Sequence, residues 1–188
     1  MNLTRKAGRR AVFAAAITCA AIGLPAVALA SSAGSTAAVA ASRCTRGELT
    51  AWIGEPGDGT AGSTFYQLEL SNISHRTCTL FGFPGVSGVA GSGKQLGTAA
   101  QRTAGHAERT VTLAPAQTTH VILQVTDVGV FSTSACHPAT AQALRVYPPG
   151  ALHSIVVPFS FRGCGKHGPV FLHVSPVLAG TGIPGFSH

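Results

Sequence analysis

At 188 residues the chain suits one domain with a proper core. Thirteen Lys and Arg against six Asp and Glu, a formal net charge of +7, is the balance of a nucleic-acid binder. Four of those cations cluster at the N-terminus, however, and the other nine stand singly between Arg43 and Lys166, with no basic stripe interleaved with aromatics. That distribution argues against nucleic acid as a partner.

The first thirty residues have the three parts of a secretory signal. Arg5, Lys6, Arg9 and Arg10 form the positive region, and residues 11–24 are apolar. Pro25 then breaks the run before Ala28-Leu29-Ala30, the small–x–small pattern a signal peptidase reads. A membrane span needs about 20 uninterrupted apolar residues, and Pro25 cuts this run short. The expectation is a signal peptide over residues 1–30, cleaved after Ala30. What remains is a secreted, extracellular or cell-envelope protein with no transmembrane span. The flanks of Arg9-Arg10 fit a twin-arginine signal poorly, so the general secretory route is favoured. Ala16 and Thr18 do not make a lipobox before Cys19, which leaves with the leader. Cleavage also lowers the charge to nine cations against six acids, +3. Residues 31–43, built of Ser, Ala, Gly and Thr with one Val before Arg43, lack the apolar mass to offset ordering entropy and read as a disordered tether. Residues 44–180 then form the domain and 181–188 a C-terminal tail.

Within the domain, helical periodicity is nearly absent. Candidate strands in chain order are 49–53, 65–70, 78–81, 95–100, 109–113, 120–125, 144–147, 155–157 and 170–174. In the second, Phe65 lies aside from Tyr66, Leu68 and Leu70. Turn signals fall at Gly57-Asp58-Gly59, Pro84-Gly85, Ala114-Pro115, Pro148-Pro149-Gly150 and 163–165. Eight or nine short strands at intervals of about 10–15 residues predict an all-β, antiparallel sandwich. A βαβ fold needs helical crossovers, and none are offered.

Cys44, Cys78, Cys136 and Cys164 survive cleavage, and an even number in an exported chain favours disulfides. Three connectivities are open. Sequential pairing is preferred because it ties each half's strands locally, each bridge being worth roughly 3–4 kcal/mol in the chain-entropy model. No two cysteines have zinc-finger spacing. A thiol at Cys164 with His167 nearby would leave an unpaired cysteine.

Catalytic patterns are weak. Gly88 to Gln95 imitates a phosphate-binding glycine loop, but Gln95 stands where Ser or Thr should hold magnesium, and no helix follows. It reads as a glycine-rich hairpin tip. Gly85-Val86-Ser87-Gly88 approaches G-x-S-x-G and ends wrongly on Val89. Of the acids Glu48, Glu55, Asp58, Glu69, Glu108 and Asp127, Glu55 and Asp58 fall in a turn signal. Glu69 is expected to face solvent, and Asp127 closes a strand where a cleft is possible. The histidines His75, His106, His120, His137, His153, His167, His173 and His188 form no H-x-x-x-H or H-E-x-x-H pair and read as surface or strand-end residues. Asn72-Ile73-Ser74 matches a glycosylation acceptor, though turn chemistry explains it equally well. Trp52, the only tryptophan, is expected in the core.

Leu70-Ser71-Asn72 followed by Thr77-Cys78-Thr79-Leu80-Phe81-Gly82-Phe83-Pro84-Gly85-Val86 resembles the signature of the domain of unknown function 4232 family, found mainly in exported and lipid-anchored proteins of actinobacteria. Val111-Thr112-Leu113-Ala114-Pro115 is similar to its second block. Cys136, Leu144-Arg145-Val146-Tyr147-Pro148-Pro149-Gly150 and Cys164 are similar to its third. The resemblance implies an Ig-like sandwich and disulfides matching the sequential pairing, with no catalytic residues to transfer. Ala116 departs from the family's usual glycine, which implies a slightly different turn.

The expectation is therefore a non-catalytic binding or structural module with no cofactor and an unknown envelope or extracellular partner. The alternatives are a histidine-based metal-binding protein and an extracellular hydrolase using Asp127 or a histidine.

Overall fold

The structure, a computed structural model, describes residues 41–182. The expected leader, most of the expected tether, and residues 183–188 lie outside that range.

Apolar side chains at every second position drive the first sheet. Strand β1 (Leu49–Thr60) pairs antiparallel with β2 (Ser63–Asn72), and β2 pairs with β8 (Thr118–Thr126). Leu68 and Leu70 on β2, with Val121 and Leu123 on β8, are fully buried on one face, as period-two alternation requires. Beyond β8 come β11 (Leu172–Val174) and then β6 (Gln101–Arg102), while β12 (Leu178–Ala179) pairs with the start of β8. The second sheet has the order β10 (Ile155–Cys164), β9 (Pro138–Tyr147), β4 (Gly85–Val89) and β5 (Gln95–Leu96). A two-stranded sheet joins β3 (Cys78–Leu80) to β7 (Val111–Leu113).

All three sheets feed one core, with Leu70 and Leu123 from the first, Val86 and Leu144 from the second, and Leu80 and Leu113 from the third. A row of rings, Tyr66, Phe159, Phe161 and Phe171, crosses it with centroid separations of 4.8, 5.2 and 6.4 Å. Phe171 needs a gap in the neighbouring backbone. A Cβ on Gly97 would stand 2.7 Å from its ring and 2.6 Å from the Cys164 carbonyl, and Gly97 has φ +58°. Both reasons exclude a larger residue there.

Disulfides join Cys44 to Cys78 and Cys136 to Cys164, the sequential pairing. Ser42 and Arg43, assigned by composition to the tether, run beside β3: the Thr79 amide donates to the Ser42 carbonyl at 3.0 Å, and the Cys44 amide to Thr79 at 2.9 Å.

The fold is mostly β, but it differs from the expectation in detail. Twelve strands occur among the described residues, because two-residue strands such as β5, β6 and β12 carry no periodicity to read. The expected strand over 95–100 is instead β5, followed by a bend that delivers β6 to another sheet. The β6–β11 pair is parallel. Gly57-Asp58-Gly59 is not a turn but part of β1, with register shifts on either side of Pro56. Proline in a sheet is confined to edge strands and bulges, and Pro56 stands on the edge strand β1 between two register shifts. The hairpin turns instead at Ala61-Gly62, where Gly62 has φ +80°. The only α-helix among the described residues is Thr133–Cys136, and no helix there is long and apolar enough to cross a membrane.

Candidate functional site

The catalytic look-alikes resolve into architecture. Gly88 pairs with Leu96 and Val89 with Gln95 across the β4–β5 hairpin, and the tip closes with the Ala90 amide donating to Lys94 at 2.9 Å. Ser87 is buried in β4 rather than raised on an elbow. Cys164 carries no thiol, being in a disulfide. Asp127 does border a cavity of about 300 Å³ with Tyr66, Ser160 and Arg162, but no histidine lines it. Its Oδ1 accepts from the Gly129 amide at 2.9 Å, capping the short 3-10 turn Val128–Val130.

Asn72 is a hub rather than an acceptor for sugar. Its Nδ2 donates to the carbonyls of Arg76 and Leu113 at 2.8 and 3.0 Å, and its Oδ1 accepts from Ser74 N and Oγ at 2.9 and 2.7 Å. The side chain is fully buried, so the glycosylation pattern is an Asx turn.

The histidines divide. His75, His106, His137, His153 and His167 are exposed, as expected, whereas His120 is buried and His173 partly so. His188 lies outside the described residues. Among those residues no group of three or more His, Cys, Asp or Glu is arranged to hold a metal ion.

Polar groups converge on the face of the first sheet opposite the core. Register places Trp52, Glu69, His120 and Leu178 in one row across β1, β2, β8 and β12. Glu69 was expected in solvent and is 4% exposed. Alternation does set it away from the core, but β2 has a strand on either side, and the Glu69 side chain lies across Gly54, where a Cβ would stand 3.2 Å from its Cγ and Oε1. Burial pushes its carboxyl up to about 7. His120 Nδ1 donates to the Gly180 carbonyl at 2.7 Å. Its Nε2, like His173 Nδ1, is buried with no hydrogen-bond partner among the described residues. Burial holds the His120 imidazole below its ordinary value; the Gly180 carbonyl opposes this and the charge of His106 adds to it. Burial also lowers His173. Trp52, expected in the core, is instead 39% exposed on this outer face. The cross-strand meeting of Glu69 and His120 leaves no local trace, because the two stand 51 positions apart in sequence.

A second convergence forms where the 148–154 connection from β9 to β10 meets residues 43–47. A groove of about 520 Å³ is lined by Thr45, Arg46, Gly47, His153 and Ser154. An adjoining one of about 320 Å³ extends it to Arg43 and Leu152. Behind the groove, Arg76 grips both carboxylate oxygens of Glu48. The Thr45 amide and hydroxyl also donate to Glu48, at 2.7 and 2.8 Å. The Arg76 and Thr45 bonds hold the carboxyl well down, at about 2.

These features define a mostly-β domain, stapled by two disulfides, with a basic groove at one corner and a buried acid–imidazole row on one sheet. The family model for Domain of unknown function (DUF4232) matches residues 44–177, and the chain belongs to that family. No curated protein and no solved structure matches the chain. The signature residues do structural work. Leu70 and Val86 fill the core, Asn72 ties two turns, and Gly82 holds φ +90° while its carbonyl accepts from Val177 at 3.0 Å. Ala116 keeps φ +63°, and the Gln117 amide donates to Ala114 at 3.0 Å. The backbone turn is thus the type that favours glycine, held here by alanine.

Proposed function

We propose that the chain is exported by its signal peptide and works outside the cell as a non-catalytic binding module on an Ig-like sandwich frame. Two disulfides are compatible with an oxidising compartment. The observation that carries the reading is the apolar end of the β9–β10 hairpin. Tyr147, Leu152 and Val156 are 36%, 88% and 62% exposed, and register puts Tyr147 and Val156 on the same outer face of the second sheet. Large apolar side chains left together in water mark contact surfaces.

The test uses protein recovered from the medium of cells expressing the full chain. Its intact mass should be that of residues 31–188 less four hydrogens. The protein should sediment with washed cell-envelope fragments, and Leu152→Asp with Val156→Asp should lower the bound fraction about fivefold or more. Sedimentation unchanged by the double substitution, or no sedimentation by the native protein, sinks the reading.

A further inference from the structure

We propose that the groove between residues 43–47 and 150–154 is a binding site for an oxyanion, a phosphate or carboxylate group carried by the ligand, held between the guanidinium groups of Arg43 and Arg46. The inference rests on the binding-module reading and names what one surface of that module takes.

Charge is the first argument. Nine cations that stand singly along the mature sequence are regrouped by the fold, which brings Arg43, Arg46 and Arg76 to one corner with His153. The only acid in that corner among the described residues is Glu48, and it is engaged by Arg76 and by Thr45. No acid lines either groove. Arg43 and Arg46 therefore face the cavity without a counter-charge from the described residues.

Position is the second. The backbone at Arg43 and the side chain of Arg46 are held in place. The Arg43 carbonyl accepts from Arg76 Nη2 at 3.1 Å, and its neighbour Cys44 is in a disulfide. The Arg43 Nη1 lies over Gly150, where a Cβ would stand 3.1 Å away. Arg46 donates through Nε to the Ser154 carbonyl at 3.3 Å. The two guanidiniums thus sit at the two ends of the 150–154 segment. Each keeps N–H donors that bond to no described residue. A fork of donors in fixed geometry matches carboxylate and phosphate oxygens. Partial immobilisation before binding reduces the ordering cost of capture.

Space is the third. A Cβ on Gly47 would meet nothing within 4 Å. The groove wall is open there, and a ring at 47 would fill the cavity without altering its charge.

The experiment is an amide-resolved NMR titration of labelled protein recovered from the medium, with inorganic phosphate in one arm and succinate in the other. Chloride holds ionic strength constant. The expected result is saturable shifts confined to residues 43–47 and 150–154. Arg43→Gln and Arg46→Gln should each weaken the apparent affinity about tenfold, the loss of one charge-assisted contact, and Gly47→Phe should weaken it similarly with every charge in place. Lys94→Gln, at the tip of the β4–β5 hairpin and lining neither groove, should leave it unchanged. A stronger phosphate response assigns a tetrahedral group, and a stronger succinate response a planar one; either supports the site. The spectrum reports folding of each variant directly. Shifts that follow chloride alone, or that persist equally in Gly47→Phe and the arginine variants, overturn the proposal. Envelope sedimentation through Leu152 and Val156 is a separate readout, so the groove can fail while the module reading stands.

Discussion

Glu48 and Glu69 carry the same side chain 21 residues apart, yet the corner and the sheet face set their acidity in opposite directions. At the corner, Arg76 and Thr45 supply donors to the charged form, and the carboxyl is held at about 2. On the sheet, Glu69 lies over Gly54 beside Trp52 and His120, and burial raises it to about 7. Placement relative to donors decides the charge state, and residue type does not. The corner holds its charge close to water, where a ligand can reach it. The face keeps its ionisable groups inside the sheet, a poorer place for a site.

The largest effect should come from opening the corner. Replacing Cys44 and Cys78 together by alanine is expected to cost about 2–5 kcal/mol, read by urea unfolding, and to release Arg43 from its place beside β3. An equal stability with and without the bridge would separate the corner from the fold. Asn72→Ala removes four hydrogen bonds from a buried site and should cost about 3 kcal/mol.

Glu69→Gln tests the other half of the comparison. The folded carboxyl titrates near 7 against 4.5 for the free side chain. Its contribution is therefore complete below pH 4.5 and lost as pH rises through 7, about 3 kcal/mol in all. The variant should gain on the native protein across that window. His120 and His173 act with the opposite sign, because imidazoles held below 6.5 lose stability as pH falls. The Glu69 share is therefore read as the difference between native and variant. Emission from Trp52, its cross-strand neighbour and the only tryptophan, should shift with a midpoint near pH 7 and lose that shift in the variant.

Ala116→Gly should stabilise by about 1 kcal/mol, since alanine at φ +63° adopts the left-handed region at a cost glycine avoids. A smaller effect is expected from Glu48→Gln, under about 1 kcal/mol because the pair is close to solvent and screened. That contribution is present above pH 4.5, fades as pH falls through 2, and should shrink in 1 M salt. A loss as large as that of the disulfide would mean the corner is less open to water than its exposure suggests.

Local chemistry was legible where it is self-contained. Alternation along 65–70 set the core face of β2, whereas 120–125 read as a buried run whose two faces only the structure separates. Four cysteines after the expected leader, an even number, pointed to two disulfides, and the Gly88 to Gln95 segment read as a hairpin tip. What was not legible depends on partners far away in sequence. Glu69 alternates as a solvent-facing residue should, but its neighbours on β1 and β8 decide that it is buried. Trp52 obeys the same alternation on the outer face, against the habit of placing a lone tryptophan inside. Ala116 sits at φ +63° because the hydrogen bonds of Asn72, Ala114 and Gln117 fix its turn, which the alanine side chain by itself does not announce.

By itself the sequence determined a β-rich chain with a stapled domain, because backbone periodicity, turn residues and cysteine count act over a few residues or through covalent bonds. Only the tertiary structure decided where charge collects. The scattered arginines 43, 46 and 76 become one corner through a disulfide, an ion pair and the 148–154 connection. Electrostatic interaction depends on distance in space, and separation along the chain carries almost no information about it.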